Sequence, residues 1–292
     1  MNNKVKASVL ITTYNHEKFI GQAIESALAQ VTTFPYEILI GEDESQDSTR
    51  SIVVKYAKQY PKKIKLFLNS RKDVVYINGR ATGRKNLLSL YKQSCGEYVA
   101  FLDGDDFWID KNKLQIQADY LDMNPETSGC FCQARAFFED IGNTEYLIPN
   151  LLSSKQLTIE DLLVNNSIAF CSVIYRRLYK QFPKWIWSTG MADWPIHILH
   201  AKYGPVGYIP KLMAGYRRHS LGSFSSRNKI DNINDIIDTY RIFNEYFSQR
   251  YHKIIEDRIK YYKAVRLTKR IITTNNSPLV TKILIKLLQT FS

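Results

Sequence analysis

The chain has 292 residues, 45% hydrophobic and 13% aromatic, which supplies apolar surface for a sizeable core and excludes a wholly disordered chain. Its four cysteines, Cys95, Cys130, Cys132 and Cys171, are too sparse for a disulfide scaffold and lack the paired CxxC spacing of zinc sites, which suits a reduced, cytoplasmic chain. The formal net charge of +12 admits nucleic acid, a membrane surface or an anionic substrate, and its position discriminates: residues 253–292 hold nine Lys or Arg against two acids, a net +7.

Met1-Asn2-Asn3-Lys4 leads directly into an apolar strand pattern, so no leader is expected. Ala7–Thr13 is a short apolar, β-branched run of the kind a buried parallel strand shows. Residues 16–30 repeat apolar positions at helical spacing, 36–41 read as a second buried strand, and 47–60 as a helix N-capped by Asp47 or Ser48. Ile64–Leu68 is a third strand, 82–94 a helix and 97–102 a fourth strand. This alternation predicts an α/β layer with a mainly parallel sheet. Beyond residue 110 the pattern loosens. It gives a helix at Lys113–Met123, a strand at Gly129–Phe138, and a short helix at 158–164 with Thr158 as N-cap and Asp161 at its third position. A strand-like 167–175, a helix at 193–203 and a short extended piece at 207–210 follow, and from 228 the chain reads as helical and charged. These patterns put a boundary near 225. No run of about 18 apolar residues offers a membrane span.

Ligands of open α/β sheets bind outside the carboxyl ends of the strands. After the first strand come Thr12-Thr13-Tyr14-Asn15, after the second Glu42-Asp43-Glu44-Ser45, and after the fourth Asp103-Gly104-Asp105-Asp106. Three carboxylates in four residues repel one another, and a divalent cation relieves that repulsion; Mg²⁺ or Mn²⁺ takes one or two carboxylates together with substrate phosphates. A D-x-D spacing lets one acid reach the metal and the other a ribose hydroxyl. A carboxylate at Asp43 can accept the imide N–H of a uracil, with Thr12 and Tyr14 flanking the same base. Neither GxGxxG nor GxxxxGK[ST] is present, so the dinucleotide fingerprint and the P-loop are excluded.

The chain resembles family-2 glycosyltransferases of the GT-A fold. The resemblance covers about residues 5–225 and rests on T-T-Y-N at 12–15, E-D-E-S-Q-D-S-T at 42–49, G-E-Y-V-A-F-L-D-G-D-D-F-W at 96–108, A-D-W at 192–194 and G-Y-R-R-H-S at 215–220. It implies an α/β fold with a Rossmann-like mixed sheet flanked by helices. The GT-A catalytic domain would span 1–225 (nucleotide-binding half 1–110, acceptor half 111–225), followed by a basic helical tail at 226–292. It also implies an inverting, metal-dependent hexosyltransferase that moves a sugar from a UDP-sugar to a glycan, in cell-surface polysaccharide or glycoconjugate synthesis. Thr12, Tyr14 and Asp43 match the uracil-binding places, Asp103 the ribose acid and Asp105 the metal acid. The loop before the fourth strand often contributes a basic residue and an Asn; Arg84, Lys85 and Asn86 stand there, and which of them reaches the nucleotide stays open. Asp193 resembles the base that takes the acceptor's proton, although an Asp at a helix start is also a favoured cap. His219 matches an added metal ligand, and Arg217 or Arg218 could pair with the diphosphate. The processive Q-x-x-R-W motif is missing, so addition of one sugar is expected.

Residues outside these motifs have simpler readings. His197 and His200, four and seven residues beyond Asp193, suggest a metal face, but the apolar Ile196, Ile198 and Leu199 between them favour core histidines. Trp185, Trp187 and Trp194 could each be acceptor platform or core. In the tail, Ser277-Pro278 is a helix start, after which Leu279, Val280, Ile283, Leu284, Leu287, Leu288 and Phe291 share one face. Such a helix, behind a Lys/Arg-rich stretch, suits an anionic membrane surface, placing the protein peripherally on the inner face of the cell membrane, with a lipid-linked acceptor. The same face would serve for docking onto the body or onto a second copy in a homo-oligomer. Nucleic acid is not expected as a partner. A nucleotidyltransferase, or a non-catalytic membrane-associated protein of the same fold, is the alternative to an active transferase; the former needs an early Gly-rich triphosphate loop that this chain lacks.

Overall fold

The computed structural model describes residues 4–139, 145–149, 156–220, 222 and 228–274. In chain order the elements are β1 (Ala7–Thr13), α1 (Ile20–Leu28), β2 (Tyr36–Glu42), α2 (Thr49–Gln59), β3 (Ile64–Leu68), β4 (Val75–Ile77), β5 (Arg80–Thr82) and α3 (Arg84–Gln93). There follow β6 (Tyr98–Asp103), β7 (Phe107–Trp108), α4 (Lys113–Met123), β8 (Gly129–Phe138), β9 (Tyr146–Ile148), β10 (Gln156–Leu157) and α5 (Ile159–Val164). The chain continues through β11 (Val173–Arg176), α6 (Asp193–Ala201), β12 (Val206–Arg218), α7 (Lys229–Tyr246) and α8 (His252–Thr274). One mixed sheet runs in the order β10-β12-β8-β11-β6-β1-β2-β3, with β7 on β12 and β9 on β8. Its β6-β1-β2-β3 part is parallel, and β11 joins it to β8 by antiparallel pairing on both sides.

Alternation along the buried strands divides the core between the two faces of the sheet. Val9 and Ile11 enter the layer under α1, α2 and α4, with Ile24, Val53 and Leu114. Leu10 enters the opposite layer, shared with Leu87 of α3, Leu162 of α5 and Ile198 of α6. Ile233, Ile237, Tyr240 and Phe243 of α7 and Ile255 and Ile259 of α8 are buried in that same layer. As far as Thr268, the basic C-terminal stretch therefore has residues packed on the body of the protein. The amphipathic segment at 277–291 lies outside the described residues.

Local signals account for most boundaries. Thr158 and Asp161 form a reciprocal capping box at the start of α5. Asp47 Oδ1 accepts from Thr49 N at 2.9 Å at the start of α2, while Ser48 N donates to Glu17 of the neighbouring loop at 2.9 Å. Three elements differ from expectation. The short extended piece at 207–210 is the start of the thirteen-residue β12. Its register against β8 shifts between Ile209 and Leu212 and again between Leu212 and Ala214. Pro210 and the irregularity around it break the alternation that marks a strand. Residues 170–172 form a 3-10 turn, which shortens β11. Finally, β4 and β5 form a hairpin turning at Asn78 (φ 51°) and Gly79 (φ 75°), the left-handed pair that an Asn-Gly turn favours.

Candidate active site

Strand register assembles the site. Thr12 pairs with Gly41 of β2 on one side and Asp103 of β6 on the other, so the carboxyl ends of three parallel strands meet. There a cleft of about 820 Å³ opens, lined among others by Thr12, Tyr14, Asp43, Asn86, Asp103, Asp105, Asp193, Arg217 and Arg218. These positions span more than two hundred residues of sequence.

Where β1 and β6 end, Thr12 Oγ1 donates to Asp103 Oδ1 at 2.6 Å. Asp43 is buried; its Oδ1 accepts from Asn69 Nδ2 at 2.9 Å, and its amide donates to Thr13 O at 3.1 Å. Burial pushes the Asp43 carboxyl above its usual range, against the pull of Asn69, Arg71 and Asn86. Asn86 Nδ2 donates to Gly41 O at 2.8 Å. A Cβ on Gly41 would lie 1.7 Å from Asn86 Oδ1, so only glycine leaves room for that side chain. Gly41→Ala should therefore displace Asn86 and destabilise the fold by about 1–3 kcal/mol, as overpacking does, which urea unfolding would measure. Lys85 turns to the surface and pairs with Asp73 at 3.0 Å. Arg71 was not anticipated; its guanidinium lies 4.0 Å over the Tyr14 ring.

The acidic turn after β6 is electrostatically crowded. Burial first, and the Asp105 charge second, raise Asp103 above the usual carboxylate range. Burial pushes Asp105 the same way, but the imidazoles of His16 and His219 outweigh it and hold it low. His219 Nε2 is 3.1 Å and His16 Nε2 3.8 Å from the same Asp105 Oδ2. His16 is a second residue that the sequence reading missed, since its contact reaches across 89 positions with no local signature. Among the described residues, no group of three or more His, Cys, Asp or Glu is arranged to enclose a metal ion. Asp105 and His16 line the cleft, whereas His219 is 4% exposed and does not; the Asp105 carboxylate is a ligand type that suits Mn²⁺ or Mg²⁺ when diphosphate oxygens and water complete the coordination.

The two arginines of the Gly215–Ser220 run have different surroundings. Arg217 is largely buried, and its side chain straps the acidic turn: Nε donates to Asp105 O at 2.8 Å, Nη2 to Gln22 Oε1 at 2.6 Å, and Nη1 pairs with Glu139. Its backbone N–H donates to Asp106 Oδ1 at 2.8 Å. These partners differ from the diphosphate expected for it. Arg218 Nη1 donates to Tyr146 Oη at 3.0 Å near the cleft surface.

Asp193, which also lines the cleft, is the first residue of α6. The N-cap is Ala192 and no side chain caps the helix, so the Asp193 carboxylate is not spent on capping. Its Oδ2 accepts from Asn166 Nδ2 at 3.1 Å, a neighbour with no sequence signal. His197 and His200 are fully buried behind it; the His197 Nδ1 is 2.8 Å from Tyr175 Oη, and His200 Nδ1 donates to Ile196 O at 2.8 Å. Trp194 is core, with Nε1 donating to Leu162 O at 2.8 Å and its ring edge-on to Tyr240 and Phe243. Trp185 packs on Phe243 and Tyr246, and Trp187 is 39% exposed.

Residues 8–183 match the profile of glycosyl transferase family 2, and the chain belongs to that family. An uncharacterized protein of Mycobacterium tuberculosis is 37% identical over 221 residues, 75% of this chain and 60% of the relative. The Escherichia coli UDP-Glc:alpha-D-GlcNAc-diphosphoundecaprenol beta-1,3-glucosyltransferase WfgD is 31% identical over 170 residues, 58% of this chain and 60% of the relative. The chain thus spans about 60% of the length of these curated relatives. The fold matches the crystal structure of Staphylococcus aureus TarS 1-349 in complex with UDP-GlcNAc (TM-score 0.60, 21% identity, 93% of this chain and 74% of that one), which places the sheet and helices in the GT-A fold.

Proposed function

We propose that the protein is an inverting, metal-dependent glycosyltransferase that moves one sugar from a UDP-sugar to a lipid-linked glycan in cell-surface polysaccharide synthesis. The observation that carries this reading is one cleft with Asp43 and Asp103 on the nucleotide side and the uncapped Asp193 carboxylate on the other. TarS holds UDP-GlcNAc and WfgD acts on a diphosphoundecaprenol-linked sugar, which supports both the donor and the acceptor class.

In this mechanism Asp43 accepts the uracil imide N–H, with Thr12, Tyr14 and Asn86 around the base, and Asp103 accepts from the ribose. Asp105 and His219 would hold Mn²⁺ or Mg²⁺, which would supply positive charge beside the departing diphosphate. Arg218, and Arg217 through the turn it straps, face the same negative charge. Asp193 takes the proton from the acceptor hydroxyl as that oxygen attacks the anomeric carbon from the side opposite the diphosphate, so the configuration inverts. Among the described residues no helix is long and apolar enough to cross a membrane. Attachment to the inner membrane face is assigned to the basic C-terminal region, and a scaffold without activity is disfavoured because every motif acid is present.

Calorimetric titration of UDP with and without Mn²⁺ tests the site. Binding should tighten at least tenfold with the metal, about 1.4 kcal/mol, and Asp105→Asn should abolish that gain while leaving the melting temperature of the free protein nearly unchanged. Equal Mn²⁺ enhancement in the variant would remove Asp105 from the metal site. Release of pyrophosphate from a nucleoside triphosphate, with no transfer from any UDP-sugar, would favour the nucleotidyltransferase.

A further inference from the structure

Arg84 opens α3 in the donor half, yet its side chain serves the acceptor half. It is 2% exposed. Nη1 donates to Ile186 O at 2.8 Å and Thr189 Oγ1 at 3.0 Å; Nη2 donates to Thr189 O at 2.7 Å and Met191 O at 2.6 Å. These bonds cross more than a hundred residues and gather the carbonyls of one irregular segment, which passes from a 3-10 turn at Lys184–Ser188 directly to Asp193 at the head of α6. Buried carbonyls of an irregular loop need donors, and a planar fork with several N–H groups satisfies neighbouring carbonyls that a lysine's point charge cannot. Burial pulls the guanidinium down, to about 10, and the Asp193 carboxylate opposes that pull, so Arg84 is charged at neutral pH and within electrostatic reach of Asp193.

A second grip acts on the same segment. A Cβ on Gly190 would lie 2.4 Å from Asp235 Cγ of α7, so the loop is pressed against that side chain. Asp235 in turn accepts from Asn78 Nδ2 at 2.7 Å and lies 3.7 Å from Arg80 Nη1, both from the β4–β5 hairpin. Residues 78–84 thus bear on 186–191 through Arg84 directly and through Asp235. Two residues beyond Arg84, on the same helix, Asn86 bonds to Gly41 O beside the nucleotide-side acids.

From this geometry we infer that Arg84 is a positioning residue for sugar transfer: by clamping 186–191 it sets the Asp193 carboxylate against the acceptor hydroxyl and ties that placement to the donor half. The inference rests on Asp193 as the base. Its effect should be large, because misplacing a reacting group by about 1 Å can cost about a hundredfold in rate.

The test compares Arg84→Lys, Thr189→Val and Asp193→Asn in one transfer assay, with calorimetric UDP binding and thermal melts alongside. Arg84→Lys should lower kcat about ten- to a hundredfold, with the donor KM and the UDP affinity within about threefold of the parent protein. A merely structural arginine would cost melting temperature with no such division between kcat and KM. Thr189→Val keeps the side-chain shape and removes the Arg84 Nη1 bond together with the hydroxyl's own bonds to Ile186 O and Met191 O, so it loosens the same 186–191 segment and should lower kcat several-fold with the same KM; it stands as the test if Arg84→Lys does not fold. Wild-type kcat in both folded variants, or a loss confined to donor affinity, overturns the positioning role. Full activity in Asp193→Asn instead overturns the base assignment, so the two failures are distinguishable.

Discussion

Asp193→Asn should lower kcat for sugar transfer by about 10²- to 10⁴-fold while changing UDP affinity by less than about twofold. General-base catalysis contributes rate factors of that order, and an amide of the same shape cannot take the proton. The variant is well suited to the question because Asn166 can still bond to the retained side-chain oxygen and no capping bond is lost at the start of α6. The remaining structural cost is the favourable charge at a helix N-terminus, about 0.3–1 kcal/mol. Steady-state transfer rates, with UDP titrations on the same preparation, separate the two quantities. A variant that transfers sugar at the parental rate would require the proton to go elsewhere. A variant that loses UDP binding in parallel with rate would make Asp193 part of the nucleotide site, since an interaction made only in the transition state leaves ground-state binding alone.

The parallel part of the sheet, β6-β1-β2-β3, was the more legible part of the sequence. Three of its strands are buried on both faces, so Ala7–Thr13, 36–41 and 97–102 stand out as apolar runs, the last two with acids at their ends, while Ile64–Leu68 at the sheet edge is partly exposed. The acids Asp43, Asp103 and Asp105 could be placed because strand ends in a parallel sheet converge on one edge. Other parts of the chain gave weaker signals for three physical reasons. Pro210 and the register shifts around Leu212 hid most of β12. The β4–β5 hairpin has only three residues on each side, although the Asn78-Gly79 turn was a readable sign of it. The contacts that complete the site are long-range and lack periodicity: His16 to Asp105, Asn166 to Asp193, and Arg84 to backbone carbonyls that carry no side-chain signature at all. The Gly215–Ser220 run shows the same limit. Its residue types suit a diphosphate, but Arg217 is drawn to the backbone of the acidic turn, to Gln22 and to Glu139, partners a linear motif cannot reveal.

His197 and His200 should together withdraw about 3–4 kcal/mol of stability on acidification from pH 7 to pH 5, against an opposing gain from the raised buried carboxyls. Burial lowers His197 to about 4 and His200 to about 3, against 6.5 for an unburied imidazole. Between those values the unfolded chain binds a proton at each histidine that the native protein does not. Stability therefore rises with pH through this window and falls on acidification, by about 1.4 kcal/mol per pH unit for each group. Two such groups acting together consume a large share of the 5–15 kcal/mol that stabilises a typical domain. The surroundings offer little relief: His200 is stacked on Tyr175 and edge-on to Tyr179, neither of which titrates in this range, and the Asp193 carboxylate and the backbone at Ile168 and Ile196, which favour the charged imidazoles, do not outweigh burial. The raised carboxyls of Asp43, Asp103 and Asp106 act in the opposite direction, because a native group that holds its proton more tightly gains stability as pH falls. A difference measurement removes them. His200→Phe should reduce the pH dependence of urea-unfolding stability between pH 6 and pH 4 by about 1.4 kcal/mol per unit, whatever its absolute stability. Parallel curves for the variant and the parent would show that His200 carries the same proton in both states and would exclude its burial in the neutral form.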